Sequence, residues 1–193
     1  MKNKIGIFGG TFNPVHRAHV EIAKDFIAKF DLDLLYVIPN NIPPMKESHG
    51  VSGEERFSML KIAFSGNDKV KVSDIELART GMSYTCDTIA EIKKIHPESE
   101  LFLLFGDDWI DRFERWKNYK YILDNATLVV AHRFVDDIDT EIEKLQKLSD
   151  KKVFLLNNQK IQLSSTELRG EIKKDQLPDG VYEYIKKREL YRK

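Results

Sequence analysis

The run Ile5-Gly6-Ile7-Phe8, followed by Gly9-Gly10-Thr11-Phe12-Asn13-Pro14 and then by His16 and His19, constrains the fold more than any other stretch. A short apolar segment ending in paired glycines reads as a buried strand whose exit lets backbone approach a ligand with no Cβ between them. Pro14 suits the first turn of a helix, where its missing N–H would have no partner anyway. A helix N-terminus offers free N–H groups and the positive end of the peptide dipole, a setting for anions. Residues three apart share a helix face, so His16 and His19 are expected to point at the same anion. Taken alone, such a pair is more often a surface or capping feature. As a zinc site it is also short of the three or four ligands zinc needs. In this order, the strand, glycines, proline and histidines predict a nucleotide phosphate site.

The rest of the chain repeats the strand-then-helix theme. Ile5–Phe8, Leu34–Ile38, Val70–Ile75, Leu101–Phe105, Leu128–Ala131 and Val153–Leu156 read as buried strands, most of them short aliphatic runs without alternation, the pattern of parallel strands covered on both faces. Between them lie amphipathic stretches: Ala18–Phe30, a helix opened by Ser52-Gly53-Glu54-Glu55 and reaching about Phe64, Thr85–Ile95, and Asp137–Leu148. The expected fold class is α/β, a doubly wound Rossmann-like parallel sheet with a small helical C-terminal part, as a single domain over residues 1–193. Ligands of such sheets bind beyond the strands' carboxyl ends, where Gly9 and Gly106 fall.

Charge narrows the partners. With 31 basic and 31 acidic residues the formal net charge is zero, so a nucleic-acid partner is not expected. The single cysteine, Cys86, forms no internal disulfide, in keeping with a reducing compartment. No apolar stretch approaches the roughly 20 residues of a membrane span, and the first residues run straight into the predicted strand. A cytoplasmic protein without a membrane partner is expected; the oligomeric state is not readable.

A second candidate phosphate site lies late in the chain, at Leu163-Ser164-Ser165-Thr166-Glu167-Leu168-Arg169. Ser164 and Glu167 have capping-box spacing, which a well-capped helix explains fully. Capping does not explain Ser165, Thr166 and Arg169 together. Hydroxyls at a helix start, with a guanidinium one turn on, match the oxygens of a phosphate.

The early stretch resembles the GGTFDP turn and His-x-Gly-His motif of the nucleotidyltransferase superfamily, with Asn13 for the usual Asp and Ala18 for the usual Gly. The late one resembles that superfamily's ISSTxIR motif, with Leu163 and Leu168 as aliphatic replacements. Pro43-Pro44-Met45-Lys46, Ser83-Tyr84-Thr85-Cys86-Asp87-Thr88 and Gly106-Asp107-Asp108 followed by Trp116 are similar to the NPPHK, SYTxDT and GxD-plus-Trp stretches of nicotinate-nucleotide adenylyltransferases. The Val181–Ile185 and Leu190-Tyr191 segments fit that family's closing helix. The family's Arg-Pro after the fifth strand reads His132-Arg133-Phe134 here.

That resemblance implies transfer of the adenylyl group of ATP to nicotinate mononucleotide, giving deamido-NAD and pyrophosphate. It implies that His16 and His19 are catalytic, and that Gly9, Gly10, Thr11, Phe12, Ser165, Thr166, Arg169 and Arg133 bind ATP. Lys46, Tyr84, Thr85, Asp107 and Trp116 then bind substrate, Asp107 through a ribose hydroxyl and Trp116 by stacking on the pyridine. Mg2+ is expected to travel with ATP, held more by phosphates than by protein carboxylates, with no protein metal site. The extra methyl of Ala18 is expected to crowd the nucleotide. The alternatives are another acceptor, such as nicotinamide mononucleotide or a phosphopantetheine phosphate, or a nucleotide-binding protein that has lost catalysis.

Overall fold

A computed structural model describes residues 2–41, 51–132, 135–156 and 164–192. The chain runs through β1 (Lys4–Gly10), α1 (Arg17–Phe30), β2 (Leu34–Pro39), α2 (Gly53–Ala63), β3 (Val70–Val72), α3 (Thr85–Ile95) and β4 (Glu100–Gly106). A 3-10 segment (Asp107–Arg115) follows, then α4 (Tyr119–Asn125), β5 (Thr127–Ala131), α5 (Ile138–Gln146) and β6 (Phe154–Leu156). Last come α6 (Ser165–Gly170), a 3-10 turn (Lys174–Gln176) and α7 (Val181–Lys187). All six strands form one parallel sheet in the order β3-β2-β1-β4-β5-β6. This order is doubly wound, the fold class expected from the sequence.

Strand alternation splits the apolar residues into two cores. Leu35, Val37 and Phe8 pack with Ile22, Phe26 and Leu60 of α1 and α2 on one face. Ile5, Ile7, Tyr36 and Ile38 pack with Ile89 and Ile92 of α3 and with Phe113 and Ile122 on the other. Each fully buried Leu, Ile or Phe contributes about 1.5–3 kcal/mol relative to exposure. Gly6 belongs to this packing: a Cβ there would stand 2.6 Å from Leu32 and 2.8 Å from Phe26.

The chain leaves β1 toward β2 on one side and β4 toward β5 on the other, so the connections diverge between β1 and β4. That divergence opens a crevice at the carboxyl rim, beside Gly10 and Gly106.

Some local readings change. The third strand ends at Val72 rather than Ile75, because Asp74 turns its carbonyl to the Ala78 N–H and the chain leaves the sheet edge. Asp137 caps α5, accepting from the Thr140 N–H at 3.4 Å, so that helix covers Ile138–Gln146. Ser52 caps α2 through the Glu55 N–H at 3.1 Å, but the Glu55 carboxylate reaches Tyr184 and Arg188 of the C-terminal part instead of closing the capping box. Helix α1 starts at Arg17, with His16 as its N-cap, so Pro14 lies in the preceding turn and not in the first helical turn.

Candidate active site

A cleft of about 650 Å3 lies over the β1–β4 divergence, within the usual range for small-molecule sites. Gly9, Gly10 and Thr11 from the β1 exit form its floor, with Phe12 turned into the core. A Cβ on Gly9 would meet no protein atom within 4 Å, so the glycine leaves room at the cleft itself. Phe12 takes the left-handed conformation, φ 48°, which a bulky residue tolerates only when its surroundings hold it. Its ring stacks edge-on against Phe8 at 5.2 Å and His19 at 5.0 Å.

The two histidines differ in station. His19 lines the cleft; His16 is fully buried and stacks on the His19 ring at 3.7 Å between centroids. Sequence spacing placed both on one helix face, but the capping position turns His16 inward. The His16 backbone N–H donates to His19 Nδ1 at 3.2 Å. Nδ1 is thereby an acceptor, which leaves Nε2 as the ring's proton-bearing nitrogen.

The late segment meets this turn directly. Ser164 caps α6 by accepting from the Glu167 N–H at 3.2 Å. Ser165 Oγ donates to the Pro14 carbonyl at 3.0 Å, and Arg169 donates to the Asn13 carbonyl at 2.9 Å and to Thr166 Oγ1 at 3.0 Å. Ser165, Thr166 and Arg169 all line the cleft. Behind them Tyr191 donates to Asn13 Oδ1, so the C-terminal segment braces the same turn. Arg56, 4% exposed, donates to the Thr11 and Asn40 carbonyls at 2.8 and 2.7 Å and ties the β1 and β2 exits together.

Tyr84, Thr85 and Trp116 line the cleft from the opposite face of the sheet. Tyr84 caps α3 and Thr85 is its first residue, so the start of that helix borders the cleft. Trp116 leans on Phe105 at 5.6 Å and Phe113 at 5.3 Å. Lys117 sits 4.4 Å from the Tyr84 ring centroid and pairs with Asp87 at 3.0 Å. The hydrogen bond that Lys117 donates to Asp87 pushes the pKa of the Lys117 ammonium up.

Two expectations are corrected. Asp107 is 2% exposed and its Oδ2 accepts from the Val135 N–H at 3.1 Å and faces His132 Nδ1 at 3.2 Å; it is absent from the cleft lining, where Asp108 stands instead. The 3-10 turn after Gly106 rotates the first aspartate into the protein. Ala18 is fully buried and does not line the cleft, so its methyl does not crowd a ligand there. Lys46 and the Pro43–Pro44 loop, and Arg133 with Phe134, lie outside the described residues. Sequence reading took Asp107 with the register to the neighbouring Asp108 open, and missed Trp109, Arg115 and Lys117 in the lining. The adjacent Arg115-Trp116-Lys117 triplet was the signal available for two of them.

Among the described residues, no group of three or more His, Cys, Asp and Glu side chains is placed to hold a metal ion. The cleft side formed by His19, Ser165, Thr166 and Arg169 presents hydroxyls, an imidazole and a guanidinium, not the carboxylate-rich oxygen cage a hard cation needs. No helix among these residues is long and apolar enough to cross a membrane.

A glycine turn, a histidine-capped helix and a hydroxyl–arginine cap on one cleft of a doubly wound sheet define a nucleotidyltransferase, and the cytidylyltransferase-like family model matches residues 7–171. Within that class the chain belongs to the nicotinate-nucleotide adenylyltransferase family. It is 34% identical over 97% of its length to a probable nicotinate-nucleotide adenylyltransferase of Dictyoglomus thermophilum, covering 99% of that protein. It is 35% identical to one from Clostridium tetani, with both chains fully covered. The fold also matches Plasmodium falciparum nicotinic acid mononucleotide adenylyltransferase complexed with NaAD, at TM-score 0.78 and 22% identity, over 98% of this chain and 97% of that one.

Proposed function

We propose that the chain transfers the adenylyl group of ATP to nicotinate mononucleotide, forming deamido-NAD and pyrophosphate. The carrying observation is the convergence of Gly9–Thr11, His19, Ser165, Thr166 and Arg169 on one side of a cleft whose other side holds Tyr84, Thr85 and Trp116.

The acceptor's phosphate is largely dianionic near neutral pH, since its second pKa is about 6. An oxygen of that phosphate attacks the α-phosphorus of ATP. The bond from that phosphorus to the bridging oxygen breaks, and its electron pair leaves with pyrophosphate. No protein nucleophile is needed. The obstacle is mutual repulsion of anions, so rate comes from alignment and from donors fixed before charge develops. His19 Nε2–H, the Thr166 hydroxyl and the Arg169 guanidinium supply those donors, while Ser165, whose one proton goes to the Pro14 carbonyl, positions the cap. Magnesium enters as part of the MgATP substrate.

At the pyridine end, Trp116 offers a flat face and the start of α3 offers backbone N–H groups to a carboxylate. Lys117 and Arg115 add positive charge beside it. This arrangement favours the acid over the amide. The test is pyrophosphate release by the purified chain with ATP and each of three acceptors: nicotinate mononucleotide, nicotinamide mononucleotide and phosphopantetheine. Preference for the first is expected; equal or better turnover of another acceptor overturns the assignment.

A further inference from the structure

We propose that Glu76, Thr88 and Arg79 form a positioning network that fixes the Tyr84–Thr85 turn for the pyridine end of the acceptor, an inference that rests on the function proposed above. Glu76 and Thr88 are 7% and 1% exposed, and both border the cleft. The Thr88 hydroxyl donates to Glu76 Oε1 at 2.6 Å and accepts from the Arg79 guanidinium. Arg79 also pairs with Glu91 at 3.2 Å and stands 3.7 Å from Glu76 Oε1. A threonine hydroxyl has one proton, and here Glu76 receives it. Thr88 therefore has no proton left for a ligand; it orients its neighbours.

The network spans three separate pieces of chain. Glu76 and Arg79 lie in the segment between β3 and α3, while Thr88 and Glu91 are on α3. Asn41, just beyond β2, donates its backbone N–H to Ser83 Oγ at 2.9 Å and its side-chain amide to the Arg79 carbonyl at 3.1 Å. Tyr84 and Thr85 sit between these fixed points. Without such ties a surface connection of this kind would be mobile. A buried carboxylate is costly unless hydrogen-bonded, and this one is placed where it holds a recognition turn. Burial pushes the Glu76 carboxyl up, against the pull of its Thr88 and Ser83 hydrogen bonds.

The experiment is steady-state kinetics on the full chain for wild type, Glu76→Ala, Glu76→Gln and Thr88→Val, each checked for folding by thermal melt. Glu76→Ala and Thr88→Val are expected to raise KM for nicotinate mononucleotide roughly ten-fold or more, with KM for ATP within about two-fold, because only one substrate's end is misplaced. Glu76→Gln keeps the acceptor for Thr88 and is expected to restore most of the loss. Should Glu76→Ala not fold, Thr88→Val against Thr88→Ser gives the same comparison. Unmoved acceptor KM in folded variants, or a parallel rise in both KM values, overturns the network's role. A wild type inactive on nicotinate mononucleotide overturns the function beneath it as well, and the wild-type arm separates that result from failure of the network alone.

Discussion

The Arg169 guanidinium donates to the Asn13 carbonyl at 2.9 Å, joining residues 156 positions apart. With Ser165 on the Pro14 carbonyl, the late cap is built onto the back of the early turn. The two segments proposed to bind phosphate are thus joined into one surface by their own hydrogen bonds.

Arg169→Ala removes a cleft cation and one strap of that surface. ATP affinity measured by calorimetry is expected to fall at least ten-fold, about 1.4 kcal/mol. The acceptor's own binding should change far less. Unchanged ATP affinity in a folded variant contradicts the late clamp.

Gly9→Ala separates binding from folding. The new methyl meets no protein atom within 4 Å, so the melting temperature is expected to hold within about 2 °C. The methyl occupies ligand space, so KM for ATP should rise roughly ten-fold. A variant with normal KM places the nucleotide elsewhere.

His19→Ala tests the donor at the reacting phosphates. Loss of one preorganised donor costs about 10²–10³ in kcat where it acts on developing charge. The readout is single-turnover rate at saturating ATP. A rate near wild type in a folded protein removes His19 from the chemistry.

Strand positions and most helices were legible because buried parallel strands leave continuous aliphatic runs, as in Leu101–Phe105. Beyond Gly106 the sequence showed a short amphipathic piece, but not its 3-10 geometry, because Ile110 and Phe113, three apart, suit either kind of helix; the seven-residue α4 is too short to show a period. The choice between Asp107 and Asp108 needed the direction of one turn, which adjacent identical side chains do not encode. His16 and His19 looked equivalent because Pro14 resembled a first helical residue; only the delayed start at Arg17 tells cap from wall. Glu76 carried no local signal, because its burial comes from α3 and the segment around Ser83.

The C-terminal brace gives a pH signature. Hydrogen bonds from Arg188 and Tyr184 hold the Glu55 carboxyl below its ordinary value of 4.5. A depressed carboxylate stabilises the fold above its unfolded pKa, and that contribution fades as pH falls through the folded value. Glu55→Gln should therefore lower the melting temperature near neutral pH, with the gap from wild type closing below about pH 4. A gap independent of pH contradicts this account of the brace.

The central claim, adenylyl transfer across the shared cleft, is tested most directly by following the α-phosphorus of labelled ATP in the presence of nicotinate mononucleotide. The account predicts that the label appears in the dinucleotide while label on the γ-position leaves in pyrophosphate. Label that stays in ATP, or emerges in ADP with the γ-phosphate transferred to the acceptor, contradicts it.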